Sequence, residues 1–245
     1  MYCTSEPRED GFGGQFQNIL WDILYSENNN LQYVFIQPKV VEHNYSNNPI
    51  FIDTLVDYMN VKPTYGIDNF NKESQISIHV NNRGHLYHEI EKNIDRYHSG
   101  KVFEKFQSLF FSNKQSPYDI NKFNVAIHIR RQNQCDMGDI ERSSTTDLYH
   151  LKIINRIRLD FKEKNPLFHI YSQGDKAAFN MYEADDTILH LNEDLLNTFN
   201  GMVFADILTT TTSSFSYVAA LLSKGIIYYQ PFWHKPLNKW IVLNI

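Results

Sequence analysis

His128, Arg130 and Arg131 close an apolar run, Val125-Ala126-Ile127, with Ile129 set between them. Side chains alternate along a strand. Val125, Ile127, Ile129 and Arg131 therefore share one face, and Ala126, His128 and Arg130 the other. A run that is apolar on both faces fits a strand covered on both sides, as in a parallel sheet. Two guanidiniums at its polar end suit a phosphate, because the planar fork of arginine gives bidentate, charge-assisted hydrogen bonds. A core histidine with two helix-capping surface arginines fits the same pattern. The residue types alone do not choose between these readings.

Three further segments carry polar chemistry. Thr209, Thr210, Thr211, Thr212, Ser213 and Ser214 form six consecutive hydroxyl residues, followed by Phe215. They fall where a strand is expected to turn into a helix, and hydroxyls with unpaired N–H groups at a helix start make an anion site. Simple N-capping by Thr212 or Ser213 needs only one of them. Gly11-Phe12-Gly13-Gly14-Gln15 precedes a helical pattern. It has neither the spacing nor the preceding strand of a dinucleotide fingerprint, so a tight turn is the plainer reading. Tyr171-Ser172-Gln173-Gly174-Asp175 ends another expected strand. Asp175 fits either a base-reading carboxylate or the cap of the helix that follows.

The elements that must position these residues are clearest in the second half. Strands are predicted at 123–129, 167–171, 187–191, 207–209 and 225–229, with helices at 146–162, 176–182, 193–205 and 213–222. In the helix at 146–162 the apolar stripe is read as Leu148, Leu151, Ile154, Ile157 and Phe161. Alternating strands and helices predict an α/β chain with a doubly wound parallel sheet, whose ligands bind beyond the carboxyl ends of the strands. The first half predicts helices at 16–25, 51–59 and 88–111, the last broken near Ser99-Gly100, and strands at 31–36 and 76–80. The loop at 112–117 divides the chain, so residues 1–116 and 117–245 are expected to form separate domains.

Composition narrows the function classes. A net charge of -5 disfavours general binding to a polyanion, so nucleic acid is not an expected partner and the arginines read as a focused site. Cys3 and Cys135 are too few for a disulfide framework, which fits a reducing compartment. No segment reaches the ~18 apolar residues of a membrane span, and residues 1–10 are polar without a hydrophobic signal core. A cytoplasmic protein is expected. No metal-binding motif appears; Asp185-Asp186 is a metal pair by residue type only, at the wrong end of its strand. No cofactor is expected.

Taken together, four segments resemble a known family. His128-Ile129-Arg130-Arg131 resembles the H-x-R-R motif of the fucosyltransferase superfamily that makes α1,2- and α1,6-linkages and O-fucose. Gly11 to Gln15 is similar to its N-terminal G-x-G-N-Q loop, Tyr171 to Asp175 to its strand-end acidic segment, and Ser213-Ser214-Phe215 to its C-terminal S-S-F motif. The segments occur in the family's order and span most of the chain. The resemblance implies a GT-B type glycosyltransferase with two Rossmann-like lobes, the N-terminal one reduced at this length. It implies an inverting, metal-independent transfer from a nucleotide-sugar donor, typically GDP-fucose, to a glycan or glycoconjugate hydroxyl. By that carry-over Arg130 holds the diphosphate with His128 and Arg131 beside it. Thr212, Ser213, Ser214 and Phe215 complete the pocket, Asp175 reads the base, and Gly13, Gly14 and Gln15 bring the N-terminal loop over the phosphates. The chain departs from the family at Gly14, where asparagine is usual, and after Arg131, where Gln132 replaces a glycine and no acid follows directly.

Such a transfer needs a base for the acceptor hydroxyl. Asp136 ranks first because it follows the arginines closely, then Asp139, Asp10 and Glu9. Each of these fits a solvated surface acid equally well. The aromatic tail from Tyr228 to Pro236 suits either a sugar-binding wall or a segment packed across the lobes. Two other functions fit the sequence: a transferase of the same fold using another GDP- or UDP-linked sugar, and a non-catalytic nucleotide- or glycan-binding module.

Overall fold

A computed structural model describes residues 1–6, 8–70, 78–131 and 146–243. The chain divides into two compact units, Met1–Gln115 and Ser116–Ile245. Each is α/β with an all-parallel sheet among the described residues.

The first unit holds three short strands, β1 (Tyr2–Thr4), β2 (Gln32–Tyr33) and β3 (Ile78–Val80), in the order β2-β1-β3. Helix α1 (Phe12–Asn28) follows β1 and is buried along most of its length. Phe16, Leu20, Trp21, Ile23 and Leu24 are all fully enclosed, which is how a helix that is apolar on several sides must sit. Phe106 and Phe110 of the helix Lys101–Phe111 pack on Phe16, with ring centroids 6.3 and 5.7 Å away. The predicted helix at 51–59 is observed as Phe51–Met59. It stops at Asn60, which takes the left-handed conformation (φ 57°) that ends helices and donates from Nδ2 to the Leu109 carbonyl at 2.8 Å. The long pattern at 88–111 is three pieces, Arg83–Lys92, Ile94–Tyr97 and Lys101–Phe111, the last starting after Gly100.

One expectation is corrected here: a strand does precede the glycine loop. The three residues of β1 are too few to carry a periodic signal in the sequence. The strand forms because parallel partners on both sides satisfy its backbone.

The second unit holds β4 (Phe123–His128), β5 (Pro166–Ser172), β6 (Thr187–Leu191), β7 (Ile207–Thr209), β8 (Ile226–Tyr229) and β9 (Ile241–Val242). Their spatial order, β6-β5-β4-β7-β8-β9, reverses direction between β4 and β7. On one face of this sheet lies α2 (Asp147–Asp160), where Val125, Ile127 and Ile129 meet Ile153, Ile154 and Ile157 in one core with Phe168 and Ile170. On the other face lie α3 (Leu195–Phe204) and α4 (Ser214–Leu222). Gly201 of α3 is required there: a Cβ would overlap the Tyr171 hydroxyl, which Tyr118 meets at 2.9 Å.

The expected stripe of α2 is rotated. Leu148 is 63% exposed, and His150 and Ile153 point inward instead. Both sets obey the three-and-four spacing of a helix face, and the sheet selects the one that places three isoleucines over β4 and β5. The closing strand β9, two residues long, was also not expected.

Candidate functional site

A parallel sheet leaves a crevice where its strand order reverses, beyond the carboxyl ends of the two strands that flank the reversal. Here those strands are β4 and β7. β4 delivers His128 and then Arg130; β7 delivers Thr209 and runs through Thr210–Ser213 into the start of α4. Phe215, in the first turn of α4, faces His128 with ring centroids 5.8 Å apart. The two sides of the crevice are thus in contact.

The adjacent arginines act in different surroundings. Arg130 lies close enough to His128 for its charge to act on the ring. Arg131 turns to the α2 side. Its guanidinium pairs with Asp147 and lies over the Phe179 ring, 5.1 Å from the centroid. Asp147 also accepts from the Tyr182 hydroxyl at 2.6 Å. Burial opposes ionisation of Asp147, but the hydrogen bonds from Tyr182 and Arg131 outweigh it and hold the carboxyl below its usual range.

His128 is buried, and its Nδ1 has no hydrogen-bond partner among the described residues. Burial, then the charges of Arg130 and His150, push its pKa down to about 3. The ring is neutral at physiological pH, so the positive charge on this side of the crevice comes from Arg130. His150 sits in the first turn of α2, and both its ring nitrogens lack partners among the described residues. Burial and the Arg131 charge hold it down to about 4, against the pull of Asp147. Sequence reading missed His150; the signal was a histidine at helical spacing from Ile153, Ile154 and Ile157.

Thr210 and Ser213 of the six hydroxyls serve the backbone, as does Ser216 beyond them. Thr210 Oγ1 accepts from the Gln230 amide at 3.1 Å. Ser213 caps α4, accepting from the Phe215 amide at 3.2 Å, and Ser216 accepts from the Thr211 amide at 3.2 Å. Thr209 is fully buried. Thr212 and Ser214 stay half-buried at the helix start. The helix dipole adds partial positive charge at that end.

The other expected site residues sit elsewhere. Asp175 is exposed and accepts from the Ala177 amide at 3.0 Å, capping the 3-10 helix Lys176–Tyr182. Gly13, Gly14 and Gln15 belong to the first unit, in the first turn of α1. A Cβ at Gly14 would strike the Asp10 carboxylate. Gln15 Nε2 reaches the carbonyls of Arg8, Asp10 (3.3 Å) and Val40 (3.0 Å), a tie between loops. Asp10 itself is paired with Arg8, and Glu9 is exposed. Asp136, Asp139 and Cys135 lie outside the described residues. Asp186 takes a two-point pair from Arg158, at 2.7 and 2.9 Å. The aromatic tail packs within its own unit: Tyr217 of α4 stacks on His234 at 4.8 Å and donates to the Lys235 carbonyl at 2.7 Å. Among the described residues no helix is long and apolar enough to cross a membrane.

The chain matches no protein-family profile and no curated protein sequence. Among solved structures it is similar to crystal structures of POFUT1 in complex with GDP and with GDP-fucose. For each the identity is 13% and the TM-score 0.47, over 93% of this chain and 97% of that chain.

Proposed function

We propose that this chain is a glycosyltransferase that takes its sugar from a GDP-linked donor, GDP-fucose being the first candidate. The reading rests on one observation above the others. Arg130 and the N-terminal end of α4 flank the point where the strand order reverses. A diphosphate there meets a guanidinium from one strand and a helix start from the next. The four-motif resemblance supplies the donor class.

The reaction forms a bond from an acceptor oxygen to the anomeric carbon as the bond from that carbon to the diphosphate breaks. The electron pair leaves with the nucleoside diphosphate. Arg130 stabilises that growing negative charge, and loss of one such donor typically slows a reaction by ~10²–10³. Neutral His128 offers a hydrogen bond and adds no charge. The acceptor proton passes to a carboxylate, for which Asp136 and then Asp139 rank first on their place in the sequence. Arg131 and Asp175, engaged with Asp147 and with a helix cap, are assigned to the scaffold.

Calorimetric titration with GDP, UDP and their sugar conjugates tests the reading. GDP and GDP-fucose are expected to bind, and Arg130→Ala to abolish the heat. Binding of UDP alone, or GDP binding that ignores Arg130→Ala, would overturn it. Release of GDP from GDP-fucose, followed with and without glycan acceptors, separates a transferase from a binding module.

A further inference from the structure

A second polar cluster lies on the same sheet face, away from the crevice. His169 Nε2 meets Asn124 Oδ1 at 3.1 Å, His169 Nδ1 meets His190 Nε2 at 2.9 Å, and His190 Nδ1 meets Glu193 Oε1 at 2.7 Å. The four groups form a line, not a ring around one point, so they do not converge as metal ligands would.

Counting hydrogens along this line fixes its charge. Asn124 Nδ2 donates to the carbonyls of Lys122 (3.0 Å) and Asp119 (3.3 Å), which settles its amide orientation and leaves Oδ1 as an acceptor. His169 must then carry a hydrogen on Nε2. At the other end an ionised Glu193 also accepts, so His190 must carry one on Nδ1. The contact between the rings needs a third. Two neutral imidazoles supply only two hydrogens. The line is complete only when the pair holds one more.

We propose that His169, His190 and Glu193 form a one-proton latch, closed while His190 is an imidazolium and opened by its deprotonation. The latch joins β4, β5 and β6 to the residue before Asp194, which caps α3 through the amides of Leu196 and Asn197. From α3, Phe199 packs on Phe215 at 5.4 Å, and Phe215 faces His128. The latch therefore steadies the wall behind the crevice, whatever ligand the crevice takes.

The second hydrogen of a cation belongs on His190, the ring that touches the Glu193 carboxylate; burial first, then the neighbouring His190, lower the pKa of His169 to about 4. Tyr171 stacks on His190 at 4.5 Å and Tyr118 packs on His169 at 4.5 Å, both uncharged phenols. Asp206 accepts from the backbone N–H of Asn124 at 2.7 Å.

Glu193→Gln tests the latch without breaking it. A glutamine amide donates to His190 Nδ1, and neutral His190 then donates to His169, so all three contacts survive with no extra proton. Nitrogen-15 spectra of the histidine rings are read at about pH 6, below the ordinary histidine value. Wild-type His190 is expected to be protonated on both nitrogens, and His190 in Glu193→Gln on one. A singly protonated wild-type His190, or a doubly protonated His190 in Glu193→Gln, would refute the latch.

Discussion

The guanidinium of Arg131 is held by the Asp147 carboxylate in the first turn of α2, whereas the charge of Arg130 acts on His128. Two neighbouring arginines thus do different work. Arg131→Ala should lower stability, by about 1–3 kcal/mol for a part-buried charge-assisted contact, and leave GDP affinity within about threefold. Arg130→Ala should do the reverse. Chemical denaturation beside calorimetry distinguishes them, and equal loss of affinity in both variants would contradict the division.

His128 and His150 are neutral in the fold and charge freely in the unfolded chain. Their folded values, about 3 and about 4, lie below the ordinary histidine value. The unfolded chain therefore binds more protons across that interval. Stability should fall as pH drops from about 6.5 towards 4, by up to about 1.4 kcal/mol per pH unit for each ring. His150→Leu should flatten this acid limb in denaturation curves taken at several pH values.

Asp22 has the opposite sign. It is 1% exposed in the first unit, where Ser5 donates to it and Asn18 Nδ2 lies 3.2 Å away. Burial raises its pKa to about 6 against the opposing effect of the Ser5 hydrogen bond. The folded state holds its proton longer than the unfolded one, so this residue costs stability as pH climbs from about 4 to 6. Asp22→Asn should be stabilising at pH 8, by up to roughly 3 kcal/mol, and near neutral at pH 3.5. A pH-independent difference in urea melts would show that ionisation is not the cause.

Gly201→Ala places a methyl group against the Tyr171 hydroxyl and the Tyr118–Tyr171 pair behind it. Overpacking of this kind costs typically 1–3 kcal/mol. A drop in thermal midpoint checks it; an unchanged midpoint would mean that α3 shifts without strain.

The second unit was legible from sequence because its strands are apolar runs and its helices keep a regular face. The helical pattern at 176–182 and the strand at 187–191 fall on the observed Lys176–Tyr182 and Thr187–Leu191. β1 and β9 were not legible, since two or three residues have no period to read. Alternation suggested different surroundings for Arg130 and Arg131, but not the partner of Arg131, because Asp147 comes from another element. Asn124, His169 and His190 needed strand register before they could be seen as neighbours. The hydroxyl run was read as surplus to capping, whereas the loop it forms uses Thr210 and Ser213 to hold its own backbone.

The reversal of strand order has a consequence for synthesis. The two walls of the crevice, from β4 and β7, are neighbours in space but are separated along the chain by β5 and β6. A polypeptide emerging from the ribosome displays Arg130 early and the start of α4 only after most of the unit has been made. A truncation before Ser214 should therefore yield a chain that can begin its sheet yet has no second wall, so the ability to hold a ligand arrives only once the start of α4 has been made.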